Sequence, residues 1–156
     1  MRRAMLLLAA FGLIGLLWAA EPMSGTWKLN VAKSKYPPSI EAPPKEMTQV
    51  FRRLKGNQGE FSQTGTRTDG TPIAVKYIAP RQGGVVKTQT VQLEGIYIVL
   101  TRVDSRNAIT TYMEDGKQVA VIQSVVSKDG KTLTQTTKVT DDQGKTIEQM
   151  EVFDKQ

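Results

Sequence analysis

Cysteine and histidine are both absent from this sequence. Without thiols no disulfide can staple the fold, so core packing has to hold it. Without thiolate or imidazole, zinc, copper, haem-iron and iron–sulfur sites lose their usual ligands. The commonest general base is missing as well. Aromatic residues are scarce, with two Trp, four Tyr and four Phe, so each ring on a strand marks core or cavity wall. After residue 18 there is no long apolar run and no helical periodicity of useful length. Basic residues outnumber acidic ones 21 to 15, but they are scattered. The densest patch, Arg52-Arg53 with Lys55, reads as a solvated strand end, and there is no arginine-rich stripe of the kind a nucleic-acid partner requires.

What is present at the start is a leader. Arg2 and Arg3 precede the uncharged run Ala4 to Trp18, and Ala19-Ala20 offers a small-residue cleavage site. The run is shorter than the roughly 20 residues a spanning helix wants. The expectation is a signal peptide over 1–20 that is removed on export, with a retained anchor as the alternative. No cysteine exists to carry a lipid, so cleavage would leave no stable membrane anchor. Residues 21–156 then form one domain with 19 basic and 15 acidic residues, a net +4. Its expected location is periplasmic or secreted, and its expected state a monomer.

The rest of the chain is turn-punctuated strands. Those expected are Thr26–Asn30, Glu46–Leu54, Glu60–Thr68, Pro72–Ala79, Val86–Leu93, Ile96–Val103, Ala108–Glu114, Gln118–Ser127, Thr132–Thr140 and Thr146–Asp154. Asp69-Gly70, Asp115-Gly116 and Asp129-Gly130 suit tight hairpins, because Asp and Gly tolerate the positive φ that such turns use. Gly83-Gly84 fits a wider loop. Short turns make consecutive strands antiparallel neighbours. A ten-strand meander has to close on itself or fold into a sandwich to remove its edges. Leu133, Gln135, Thr137 and Val139 share the inward face of their strand, and the threonines between them face solvent. Ile96 to Thr101 is apolar on both faces and reads as a central strand. Pro37-Pro38 and Pro43-Pro44 keep the first connection extended after one short helical turn near Val31 to Lys35, as a lid or as a plain crossover.

Gly25-Thr26-Trp27-Lys28-Leu29 resembles the first-strand motif of the calycin superfamily, which includes lipocalins and fatty-acid-binding proteins. The wider string, through Lys35-Tyr36-Pro37 to Val152-Phe153-Asp154-Lys155, is similar to an exported lipocalin-like bacterial family of unassigned function. The resemblance implies an all-β, lipocalin-like up-and-down barrel in which Trp27 is a buried structural plug closing one end. Fatty-acid-binding proteins also carry an Arg-x-Tyr on the last strand. The stretch Glu148 to Phe153 has no arginine there, so carboxylate capture at that position is not implied. The Pro-rich connection has no room for paired lid helices, and a lipocalin's eight strands and C-terminal helix do not fit this chain.

No catalytic set emerges. Ser124, Ser127 and Lys128 read as solvated hairpin residues, and Glu114-Asp115 and Asp141-Asp142 as turn formers without calcium-loop spacing. An enzyme would need a buried carboxylate or lysine with a strongly shifted pKa inside a cavity. The expectation is a non-enzyme with no cofactor and no metal, binding a small apolar or amphipathic ligand in the barrel interior. Candidate ligand-binding residues are Phe51, Arg53, Phe61, Arg67, Tyr77, Tyr97, Arg102 and Tyr112, with Met47, Met113 and Met150 as further apolar lining. The alternative is a filled interaction module that recruits a protein partner through the Pro-rich segment or a strand edge. An empty interior of several hundred Å³ would mark the first reading.

Overall fold

The computed structural model describes residues 21–87, 95–140 and 144–156, so the leader over 1–20 and Asp141-Asp142 lie outside the described residues. Ten strands are found within them: β1 Gly25–Leu29, β2 Pro44–Arg53, β3 Gln58–Arg67, β4 Pro72–Pro80, β5 Gly83–Lys87, β6 Ile96–Arg102, β7 Asn107–Glu114, β8 Lys117–Val126, β9 Thr132–Thr140 and β10 Thr146–Lys155. The helical content among the described residues is a single 3-10 turn at Val31–Lys33, capped by the Asn30 side chain. One sheet runs in the order β4-β3-β2-β1-β10-β9-β8-β7-β6-β5 with every pair antiparallel. Because β1 pairs with β10, the first and last strands sit together mid-sheet and the meander wraps into a barrel.

The barrel is nearly closed. β4 and β5 end the sheet on its two sides and run close to each other, but no ladder joins them. This corrects two expectations. Arg81-Gln82 is a short link that does not make a paired hairpin, and Gly83-Gly84 opens β5 instead of forming a loop. Gly83 has a φ of +103°, and a Cβ there would meet the Leu100 carbonyl oxygen at 2.7 Å. The chain can therefore turn away from β4 and dock on β6 only with glycine at this point. Pro72 and Pro80 fit β4 because an edge strand needs fewer N–H donors. Residues 88–93 of the expected fifth strand lie outside the described residues. β6 is flanked by β5 and β7, one place in from the end of the sheet and not at its centre.

The Gly-x-Trp motif now has a physical account. Gly25 has a φ of +128°, and a Cβ on it would sit 3.0 Å from the Lys155 side chain. Trp27 is fully buried and packs with Leu29, Met47, Ile73, Val126, Leu133 and Phe153, while its Nε1 donates to the Met23 carbonyl at 2.9 Å. These side chains fill one part of the interior. A second cluster, Phe61, Tyr77, Ala79, Val86 and Ile98, lines the other part, and Phe51 packs against both. On β9, Leu133, Gln135 and Thr137 are buried, as the alternation requires, but Val139, expected on the same inward face, is 40% exposed because the last residues of the strand run out into solvent.

The Pro-rich connection is a fastened crossover. Lys35 bridges to Met150 through reciprocal backbone bonds of 2.7 and 2.9 Å, Thr68 N donates to the Pro43 carbonyl, and Arg67 donates to the Ala42 carbonyl at 3.0 Å. It covers the end of the barrel where β1 finishes. The β2–β3, β4–β5 and β6–β7 turns gather at the opposite end, where β1 starts.

Candidate ligand-binding cavity

A cavity of about 150 Å³ opens at the end where β1 starts. It falls short of the several hundred Å³ set above as the mark of an empty interior, because the cluster around Trp27 fills the rest of the barrel. The interior is thus half filled and half hollow.

Its wall is built by register. Phe51, Phe61 and Tyr77 lie directly opposite one another on β2, β3 and β4. Their rings form a tilted stack with centroids 5.0 and 4.9 Å apart. Leu100, Tyr112 and Ile122 face them from β6, β7 and β8. Such cross-strand aromatic pairs add specific packing to plain burial. Burial pushes the Tyr77 hydroxyl well above its usual range. Burial, and then the charge of Glu151, hold Tyr112 up at about 12.

The floor is polar. Gln49 Nε2 donates to Gln63 Oε1 and to Gln135 Oε1, both at 2.8 Å, and Gln135 Nε2 donates to Ser124 Oγ at 3.1 Å. All four residues line the cavity. Gln49 is 2% exposed, yet its Oε1 has no donor among the described residues. A dry amide oxygen costs free energy unless something donates to it. The same inward row continues from Ser124 to Ala108 and on to Arg102.

At the mouth, Arg81 and Arg102 converge on Glu21. Arg81 donates to Glu21 Oε2 from Nε at 3.2 Å and from Nη2 at 2.8 Å, and Arg102 Nη1 donates to Oε1. Arg53 lines the cavity from the exposed end of β2. The neighbouring Arg52 pairs with Glu60 at 2.6 Å, in keeping with a solvated strand end.

Of the residues expected to bind ligand, Phe51, Arg53, Phe61, Tyr77, Arg102 and Tyr112 line the cavity and Arg67 and Tyr97 do not. Arg67 ends β3 at the far end, tied to the crossover. Tyr97 is one residue out of phase with the buried Ile98, so it points outward. Met113 shares that outer face opposite Tyr97, Met47 is core beside Trp27, and Met150 also lies off the cavity. Ser124 is a correction. It is 4% exposed inside the barrel, while Lys128 sits exposed on the following turn. The glutamine floor had a signal in the sequence, since Gln49 shares a face with Met47 and Phe51. Arg81 and Glu21 had none, because both lie outside strands.

Glu151 is a second buried polar group, directly opposite Gln135 in the β9–β10 register. Tyr36 from the crossover donates its hydroxyl to Glu151 Oε1 at 3.2 Å. Burial pushes the Glu151 carboxyl up, against the opposing pull of the Tyr36 bond and of Arg67. Burial and the Glu151 charge likewise push the Tyr36 hydroxyl up. Glu151 is not among the residues that line the cavity.

Compared by sequence, the chain matches no family model and no curated protein. Compared by structure, it is similar to the fluorescent protein UnaG, with a TM-score of 0.59 at 14% identity over 87% of this chain and 98% of that one. It is also similar to the zebrafish ileal bile acid-binding protein complexed with cholic acid, with a TM-score of 0.54 at 12% identity over 86% of this chain and 99% of that one. Likeness at this level shows the fold alone: an antiparallel up-and-down β-barrel.

Proposed function

We propose that this calycin-fold barrel is an exported, non-catalytic carrier that holds one small amphipathic molecule in the half-hollow interior. The observation that carries the reading is the unpartnered Gln49 Oε1, buried in a polar floor beneath an aromatic wall. A ligand with a flat or branched apolar body and one hydrogen-bond donor satisfies both surfaces. The body replaces water against Phe51, Phe61 and Tyr77, and the donor meets Gln49. A cavity of about 150 Å³ suits a single ring or a short chain. The printed description of one neighbour, a bile acid-binding protein complexed with cholic acid, supports small-molecule binding by analogy of fold. The apolar leader supports export to the periplasm or beyond.

Native mass spectrometry of the protein from its own host, followed by denaturing extraction, tests the reading. A retained small molecule that leaves on unfolding is the expected result. Ala108 lies on the inward row and lines the cavity. Ala108→Trp should therefore abolish binding of octan-1-ol, read by isothermal titration calorimetry, while the melting temperature stays within a few degrees. A folded Ala108→Trp protein that still binds with unchanged affinity overturns the cavity site and turns attention to a filled interaction module.

A further inference from the structure

The mouth of the cavity contains an anion site that is occupied by the protein itself. Glu21 lies in a short strap, residues 21–24, that precedes β1. The strap folds back in a turn closed by Ser24 N donating to the Glu21 carbonyl at 2.8 Å. Two further tethers hold it: the Trp27 indole on the Met23 carbonyl and Lys155 Nζ on the Pro22 carbonyl at 3.1 Å. Neither tether uses the Glu21 side chain. The carboxylate is therefore free to leave while the strap stays attached.

Arg102 does not depend on Glu21 alone for its position, and Arg81 is fixed at its backbone, where its N donates to the Asn57 carbonyl at 2.9 Å. Arg102 Nε also donates to the Asp104 carbonyl at 3.1 Å, and its Nη2 to the Ser105 carbonyl at 3.3 Å. The Asp104 carboxylate is engaged by the Arg106 and Asn107 amides and by the Asn107 side chain, so it does not neutralise Arg102. The two guanidiniums divide the two carboxylate oxygens between them, and the groups are 19 to 29% exposed. A pair of partly buried guanidiniums holding one planar two-oxygen group is a strong and geometrically selective arrangement.

We propose that Arg81 and Arg102 form the head-group subsite of the carrier, that its ligands carry a carboxylate at the end opposite the donor that meets Gln49, and that Glu21 is an intramolecular competitor which a ligand carboxylate displaces. The inference rests on the carrier reading. The apolar body lies along the aromatic wall, and the head group takes the place of the Glu21 side chain at the mouth. Withdrawal of Glu21 also enlarges the cavity, since that residue is part of its lining.

The test is calorimetric titration with octanoate and with octan-1-ol, which share a short chain and differ in charge. It uses wild type, Glu21→Gln and the Arg81→Gln/Arg102→Gln pair. Glu21→Gln should tighten octanoate about tenfold and leave octanol within twofold. The paired arginine variant should bind both alike, with octanol unchanged from wild type, which also shows that it is folded. Octanoate affinity in wild type should fall with added salt, and octanol affinity should not. Glu21→Gln shifting both ligands equally, or neither, overturns the competitor role. A paired variant that still prefers octanoate overturns the subsite. If octanol and octanoate both fail to bind every variant, the carrier reading fails and takes this inference with it.

Discussion

Replacing Gln49 by leucine tests the polar floor, and the asymmetry of buried hydrogen bonds sets the size of the effect. The Gln49 amide donates one hydrogen to Gln63 and the other to Gln135. Leucine has a similar volume and donates nothing. The Gln135 oxygen, on a side chain only 6% exposed, is left dry, at about 1–3 kcal/mol. Gln63 is half-buried beside the cavity, so water can replace its donor at a cost of about 0–1 kcal/mol. Removing the unpartnered Gln49 oxygen and burying an aliphatic group in its place returns about 1 kcal/mol. The net loss is about 0–3 kcal/mol, with its middle at about 1–2 kcal/mol. An unfolding entropy of about 2.1 cal/mol/K per residue over roughly 136 residues makes each kcal/mol worth about 3–4 °C. Calorimetry should therefore find the variant melting roughly 4–7 °C lower. The triple variant Gln49→Leu, Gln63→Leu, Gln135→Leu removes donors and acceptors together and should melt above the single one. A single variant that melts above wild type refutes the network, as does a triple variant that melts below the single.

Two further predictions concern stability. Glu151 has its carboxyl raised above the ordinary value of 4.5 by burial, with Tyr36, Arg67 and Tyr112 as the groups that interact with it. The folded state then holds a proton that the unfolded chain releases near pH 4.5, so this group's contribution to stability falls as pH rises from there through its raised folded value. Glu151→Gln lacks that slope and should gain on wild type across the window, read as urea midpoints at successive pH values. A pH-independent difference would contradict the assignment. At the plug, Trp27→Phe loses the indole bond to Met23 and should cost about 1–2 kcal/mol. Trp27→Ala empties a fully buried site and should cost about 3–5 kcal/mol in urea unfolding. Equal losses would show that ring packing contributes little.

The binding predictions stand apart from these because they read affinity, not stability. Ala108→Trp fills the hollow half, and Glu21→Gln removes the internal competitor. Ala108 lies away from the Trp27 cluster, and the strap that carries Glu21 keeps its Trp27 and Lys155 tethers when the carboxylate is removed, so the two variants should fold as wild type does.

The parts of the fold that were legible are those governed by local rules. Strand positions followed from alternation and from Asp-Gly turns. Asp115 and Gly116 do take positive φ, at 49° and 77°, as a two-residue hairpin demands. Inward placement of Gln135 followed from its sharing a face with Leu133. The aromatic wall was legible residue by residue, but its stacking was not, because that depends on the register between three strands. Arg67 and Arg102 looked alike as strand arginines. Strand direction then carried them to opposite ends of the barrel, and only one reached the cavity.

By itself the sequence determined an all-β chain of ten strands, a cysteine-free core, and a tryptophan anchored behind a glycine at the start of β1. These follow from side-chain periodicity, turn chemistry and the absence of ligand-forming residues, all of which act over a few residues. The tertiary structure alone decided that the interior is half filled, that β4 and β5 part at Gly83, and that Glu21 meets Arg81 and Arg102 across 60 and 81 residues of chain. Such contacts arise from barrel closure, which brings strand ends together by register and curvature, and no local pattern encodes which ends will meet.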